Sequence, residues 1–287
     1  MRGLSYVVVL ASVGAIPVFQ NCAPEIGDAL VISLDEANPC AKAAVSRARN
    51  LVGSSVRVSR GVDLRGDAAT SRSNLEAALR ELGVDAAATE EAVEKIVAST
   101  QPGLRAKAAV TLAHAHAWLQ TRRANRTTLV LEEDSSLYDQ NFARRFCHLW
   151  KRRPPADYYQ LQVQVSKDEG CTAEDHEWRN GTRPSTGAYV LTPGGAAALI
   201  DVMPDYLPSC KLTEGCPVDI LPGRLGLKAQ FLKMAPSGEA AERVGNGVVK
   251  DSEPKWKYVV DQCGLIYQDP TCGSAREDQG RRRRRAR

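Results

Sequence analysis

The sequence predicts an α/β fold, with a mostly parallel central sheet flanked by helices, on three observations. Ala29-Leu30-Val31-Ile32-Ser33-Leu34-Asp35 is an apolar run closing on a polar residue, Ala41 to Leu51 follows at helical spacing, and Val56-Arg57-Val58 offers a second short strand. A strand, a helix and a strand in succession open a parallel sheet. Further on, Leu129-Val130-Leu131 stops abruptly at Glu132-Glu133-Asp134, as a buried strand does where it leaves a sheet. Finally, 287 residues with 43% hydrophobic content suffice for one large domain with a sizeable core.

The elements follow in order. The second strand leads into Gly61-Val62-Asp63. Ser73 to Gly83 and Thr89 to Ser99 are rich in Ala, Leu and Glu at helical spacing, with Gly83 as a stop, and form a helical insertion over about 70–100. A helix from Leu104 to Arg122 carries Val110, Leu112, His114, Trp118 and Leu119 and feeds straight into the acidic strand. Asn141 to Trp150 is helical and ends at Lys151-Arg152-Arg153-Pro154-Pro155, after which Tyr158 to Val165 alternates like a strand. Residues 166–183 are polar and read as a surface loop; Cys171, Glu174, Asp175, His176 and Glu177 within it lack a metal-ligand spacing. Thr186-Gly187-Ala188-Tyr189-Val190-Leu191 is a further strand, and Pro193 opens a helix whose small apolar face runs from Gly194 to Met203. A helix that starts beside a sheet crevice is a natural anion site.

The ends of the chain differ from its body. Leu4 to Phe19 is apolar behind Arg2 and resembles a signal peptide or signal anchor over residues 1–23, with small-residue cleavage contexts at Val13-Gly14-Ala15 and Asn21-Cys22-Ala23; the alternative is a first buried strand. The main domain then spans 24–275, and an Arg-rich tail, 276–287, is solvated and open to anionic glycans or lipid head groups. Arg281 to Arg285 and Arg287 carry six of the positive charges, so the formal +4 of the whole leaves −2 for the remainder. No nucleic-acid footprint covers the fold. Eight cysteines, with Cys210 close to Cys216 and Cys263 close to Cys272, favour an oxidising compartment and hence the secretory lumen. Without a CxxC and with four histidines, a structural zinc site is not expected. Asn125-Arg126-Thr127 and Asn180-Gly181-Thr182 would be glycosylation acceptors there.

Carboxylates at the end of a buried strand are costly unless something offsets them, and ligands of α/β sheets gather at strand ends. A hard Mg²⁺ or Mn²⁺ takes carboxylate oxygens and leaves positions open for the phosphates of a nucleotide diphosphate; the plain alternative is a solvated acidic turn. Glu132 and Asp134, spaced one apart on an extended segment, are expected to project to the same side. His114, on a partly apolar helix, reads either as a packed structural residue or as a functional one. Asp219, in Cys216-Pro217-Val218-Asp219-Ile220-Leu221, is placed to cap a helix.

Taken in order, Val31-Ile32-Ser33-Leu34-Asp35, Gly61-Val62-Asp63, Leu112-Ala113-His114 with Trp118, Leu131-Glu132-Glu133-Asp134, Thr186 to Leu191 with Gly195-Ala196, and Pro217-Val218-Asp219 resemble glycosyltransferase family 25. That family includes bacterial lipopolysaccharide glycosyltransferases and procollagen galactosyltransferases, and the resemblance covers residues 29 to 237. Departures stand beside it: Asp35-Glu36-Ala37-Asn38-Pro39 lacks the arginines usual after the first strand, Gly103-Leu104-Arg105 replaces a Gly-Glu segment, and Glu133 replaces the middle Asp of a Glu-Asp-Asp motif.

The resemblance implies a nucleotide-sugar-binding fold of the GT-A type and an inverting transfer of galactose or glucose from a UDP-sugar, with Mn²⁺ (or Mg²⁺) as cofactor. Glu132 and Asp134 would hold the metal, Ser33, Asp63, His114, Glu133, Thr186 and Tyr189 would form the donor site, and Asp219 would be the general base. The acceptor would be a hydroxyl of a glycan or glycoprotein. Two other classes remain: a family-25-like domain that binds a sugar nucleotide or glycan without turnover, and a secreted interaction protein acting through its basic end.

Overall fold

The computed structural model describes residues 16–53, 55–85, 87–100, 102–137, 142–166, 176–209, 218–219, 221–234, 260–264 and 266–268. A short helix, α1 (Val18–Cys22), leads into β1 (Ile26–Ser33), whose Ala29 to Ile32 are buried. The next helix, α2 (Pro39–Val52), starts where Asn38 accepts a bond from the Cys40 amide at 3.0 Å and Pro39 takes the first turn. The chain returns as β2 (Val56–Arg60), parallel to β1. Helices α3 (Ala68–Glu81), capped by Asp67 on the Thr70 amide, and α4 (Glu90–Ala98) form the expected excursion. Gly83, at φ 76°, closes the end of α3 in a conformation that costs glycine little. Then α5 (Pro102–Ala124) runs directly into β3 (Thr127–Glu132), which pairs parallel with the other side of β1.

After a turn at Glu133 and Asp134 the chain makes β4 (Ser135–Leu137), α6 (Phe142–Trp150), β5 (Tyr158–Gln160), β6 (Gln162–Ser166) and β7 (His176–Asn180). It continues through β8 (Ala188–Leu191), α7 (Pro193–Ser209), α8 (Leu221–Arg224) and β9 (Ala229–Met234) to β10 (Val260–Gly264) and β11 (Ile266–Gln268). The main sheet has seven strands in the order β2-β1-β3-β8-β5-β9-β7, while β10 pairs with β6 and β11 with β4.

The sheet is mixed, which corrects the expectation of a mostly parallel one. The pairs β1–β2, β1–β3 and β5–β9 are parallel, but β3–β8, β5–β8 and β7–β9 are antiparallel. Apolar runs such as Ala188 to Leu191 announce a buried strand without announcing its direction, and β8 enters from the end at which β3 leaves. Part of the polar stretch read as a loop, His176–Asn180, is an edge strand, and the single strand expected over Tyr158 to Val165 is divided at Leu161 into β5 and β6.

Alternation sorts the side chains into two layers. Leu30, Ile32, Val130, Tyr158, Tyr189 and Leu191 face α3, α4, α5 and α7. Ala29, Val31, Leu129, Leu131, Tyr159 and Val190 face α1, α2 and α6, where Phe19, Phe146 and Trp150 stack at 4.3 and 5.2 Å. Phe19 is wholly buried, so the end of the apolar leader-like stretch packs into the fold as α1; residues 1–15 lie outside the described residues. Among the described residues no helix is long and apolar enough to cross a membrane.

A disulfide between Cys22 and Cys147 ties α1 to α6 across a sequence separation of 125, and Cys40 is disulfide-bonded as well. The anticipated Cys210–Cys216 and Cys263–Cys272 pairs involve residues outside the described set. Closing so long a loop restricts the unfolded chain strongly, so converting both Cys22 and Cys147 to Ser is expected to lower stability by roughly 2–5 kcal/mol, read as a lower urea midpoint.

Candidate functional site

The crossovers around β1 mark the switch point of the sheet. From β1 the chain passes through α2, on one face, to β2; from β2 it passes through α3, α4 and α5, on the other face, to β3. The strands on either side of β1 are therefore reached over opposite faces, which opens a crevice outside the carboxyl ends of β1 and β3. Ser33 ends β1 and Glu132 ends β3 at that crevice.

Strand alternation sends successive carboxylates to opposite faces. Glu133 follows Leu131 toward the α2 side, where the buried Ser33 hydroxyl donates to its Oε2 at 2.6 Å. Its own amide donates to the Ile32 carbonyl at 3.1 Å, which extends the β1–β3 ladder past the strand end. Glu132 follows Val130 toward α5, where Oε1 meets His114 Nε2 at 3.1 Å and accepts from Thr186 Oγ1 at 2.8 Å. Asp134 is half-buried in the turn before β4. The same-side projection expected of Glu132 and Asp134 assumed an extended segment, whereas the chain turns at Glu133 and Asp134.

His114 is wholly buried and uses both ring nitrogens: Nδ1 lies 3.1 Å from the Tyr189 hydroxyl, which also accepts from Trp118 Nε1 at 2.9 Å. Burial pushes the Tyr189 and Tyr158 hydroxyls well up from their ordinary value, so both remain protonated.

The segment before β8 joins this cluster to Asp219. Ser185 sits at φ 124°, where a non-glycine residue is strained by about 1–3 kcal/mol. It is held there by Gln160 Nε2, which donates to its carbonyl at 2.8 Å, and by Asp219 Oδ2, which accepts from its amide at 3.3 Å. Asp219 thus grips Ser185 while Glu132 holds the adjacent Thr186. The Gly187 carbonyl accepts from the Glu132 amide at 2.9 Å and from the Ser135 hydroxyl. Gly187 has no side chain for a close-approach reason: a Cβ there would stand 1.7 Å from Gln162 Oε1.

Asp63, beyond β2, is fixed by Asn74, whose amide group donates to its carbonyl at 2.8 Å. Arg65 folds back onto the Asp63 carboxylate through Nε at 2.9 Å and Nη2 at 2.8 Å. Its guanidinium also feels Asp35 and Glu133, which places it at the same acidic mouth. The structure therefore joins Ser33 to Glu133 on one face of the strand end and, on the other, Thr186 and His114 to Glu132 with Tyr189 behind His114, and it links Asp219 to Ser185. Asp63 is approached through Arg65. Arg65, Ser185 and Gln160 were not singled out beforehand; Trp118 was, beside His114, and their i, i+4 spacing on α5 sets both on one face.

The donor set at the end of β3 is all oxygen, since both nitrogens of His114 face Tyr189 and Glu132. Among the described residues no group of three or more His, Cys, Asp and Glu side chains forms a cage for a metal ion. Carboxylate and hydroxyl oxygens are donors of the type that hard cations take. No protein-family model matches the chain, and no curated protein matches it.

The hydrogen bond from Arg65 holds the Asp63 carboxyl down, from 3.8 to about 2, against the opposing effect of partial burial. Because the folded value is depressed, the pair's contribution is complete above pH 3.8 and is lost as pH falls through about 2. Carbon-detected titration of Asp63 should show that low midpoint, and Arg65→Gln should move it back toward 3.8. Equal titration in the two proteins would mean that the pair does not form in solution.

Proposed function

We propose that this protein is an inverting glycosyltransferase of the secretory lumen that moves a hexose, galactose or glucose, from a UDP-sugar to a hydroxyl of a glycan or glycoprotein. The observation that carries the reading is the convergence of Ser33, Glu132 and Glu133 at the crevice between β1 and β3, with Asp219 tied to the same loop that holds Glu132. A GT-A-type nucleotide-sugar site is the finer form of the α/β architecture that this arrangement supports.

Glu132 and Asp134 would hold a divalent cation, Mn²⁺ or Mg²⁺; when bound, it supplies positive charge to offset the departing diphosphate. Ser33 and Asp63, at the ends of β1 and beyond β2, line the side of the crevice that faces the donor nucleotide. Glu133 fixes Ser33 by its hydrogen bond. His114, Thr186 and Tyr189 act through Glu132, keeping its carboxylate aimed at the strand end. Asp219 takes the proton of the acceptor hydroxyl as that oxygen attacks the anomeric carbon. Its anchorage on the Ser185 amide occupies one carboxylate oxygen and sets the direction of the other.

Incubation of the protein with a panel of UDP-sugars, with Mn²⁺ or with a chelator, tests this by UDP release. One donor is expected to support release, with the signal lost on chelation and reduced about 10²–10³-fold in Asp134→Asn. Asp219→Asn should lower turnover about 10²–10⁴-fold while UDP binding is kept. UDP binding without release or transfer to any acceptor would favour a non-catalytic sugar-nucleotide domain, and absence of both would end this reading.

A further inference from the structure

We infer that Asp63 and Arg65 form a preset receptor for the donor's diphosphate, in which Asp63 holds the guanidinium by one edge and the edge between Nη1 and Nη2 takes phosphate oxygens. The role of the pair rests on the reading of the crevice as a nucleotide-sugar site; its geometry does not. The loop that carries it, between β2 and α3, is pinned on both sides. The Gly61 amide donates to the Ser33 carbonyl at 2.9 Å, which continues the β1–β2 pairing past the strand ends. Asn74 on α3 donates to the Asp63 carbonyl at 2.8 Å, and Leu64 is buried in the layer of Leu75 and Leu112. Beyond Arg65, the Gly66 carbonyl accepts from the Ser71 hydroxyl at 3.4 Å and from Arg105 Nη1 at 3.3 Å, and Asp67 caps α3. The backbone around Arg65 is thus fixed, yet 68% of its side chain stays exposed.

A guanidinium carries five N–H groups in one plane. Nε and Nη2 each donate to the Asp63 carboxylate, at 2.9 and 2.8 Å, and the Arg65 amide donates to the same group at 3.0 Å. That leaves two hydrogens on Nη1 and one on Nη2, and Nη1 makes no hydrogen bond among the described residues. The Nη1–Nη2 edge points two N–H groups in parallel, the arrangement that takes two oxygens of one phosphate. Stability of the fold does not account for so definite a geometry, because an exposed ion pair contributes little to it.

Charge gives the pair its use. Asp35, Asp63, Glu132, Glu133 and Asp134 all lie at the end of the sheet where β1, β2 and β3 leave, so an entering diphosphate meets repulsion unless positive charge is set among them. Arg65 lies close enough to Asp35 and Glu133 for both to act on its guanidinium, and Arg60, exposed at the end of β2, adds a second positive charge near Asp63. Because Asp63 already holds the guanidinium, little freedom is lost when a phosphate arrives. Asp63 is then a positioning residue, and Arg65 is the group that touches the donor.

Calorimetric titration of the full chain with UDP and with inorganic pyrophosphate, Mg²⁺ being present throughout, tests the inference. Arg65→Gln should weaken both ligands about 10–100-fold, with the urea midpoint close to that of the unmutated protein. Arg65→Lys should recover only part of the loss, since it restores the charge without the planar edge. Asp63→Asn should weaken UDP binding in the unmutated background and have no further effect once Arg65 is Gln, because its part is to aim the guanidinium. Unchanged UDP affinity in Arg65→Gln would overturn the inference and leave the nucleotide-sugar reading standing, and additive effects of the Asp63 and Arg65 substitutions would also overturn it. Pyrophosphate held through Arg65 by a protein that binds UDP no more tightly would uphold the receptor and refute the UDP-sugar reading instead. Absence of binding of either ligand to the unmutated protein would overturn both.

Discussion

A carboxylate at the end of a buried strand must find hydrogen-bond donors, and the requirement of Glu132 organises much of this molecule. Its backbone completes β3 and bonds the Gly187 carbonyl; its side chain draws His114 from α5 and Thr186 from the approach to β8. Behind His114 stand Tyr189 and Trp118, both buried in the layer that packs α5 and α7 on the sheet. The helix that precedes β3, the strand itself and the antiparallel strand beside it are thereby joined by one polar chain. A buried chain of this kind is costly if any member is removed, because the remaining groups lose contact with both partner and water.

The same strand end coincides with the crevice dictated by topology. Reaching β2 over one face and β3 over the other leaves the carboxyl ends of β1 and β3 uncovered by either crossover, and the Ser33–Glu133 hydrogen bond spans that gap. The strained Ser185 and the close approach of Gln162 to Gly187 lie on the other flank. Strain held by Gln160 and Asp219 next to an acidic strand end is what a preorganised site requires, since the energy is met by the surrounding fold rather than by a ligand.

Much of this was legible before the structure, and for identifiable reasons. The Leu129 to Leu131 run with its acidic stop announced the strand and the place where it ends, because a buried strand needs continuous apolar residues and a carboxylate cannot extend it. The helices over α2, α3, α4 and α5 followed from periodicity and from stops such as Gly83. Strand direction was not legible: β8 is as apolar as β3 yet runs against it, and nothing in four buried residues encodes the sense of pairing. The strand at His176–Asn180 was read as loop because an edge strand facing solvent is as polar as one. Within the site, residue types were visible and their partners were not. Trp118 was visible as a neighbour of His114 in the motif, but not that its N–H donates to Tyr189; Asp219 was visible as a carboxylate beside a short helix, but not that it accepts from the Ser185 amide, 34 positions away.

Paramagnetic broadening of backbone amide signals by Mn²⁺ in the presence of UDP tests most directly whether the crevice between β1 and β3 is the ligand site. The account predicts selective loss of the signals of Ser33, Glu133 and Gly187, at the end of the sheet where β1 and β3 leave and β8 enters, with Ile26, Thr127 and Leu191 at the opposite end retained. Broadening centred on the opposite end, or none at concentrations that saturate UDP binding, would contradict it.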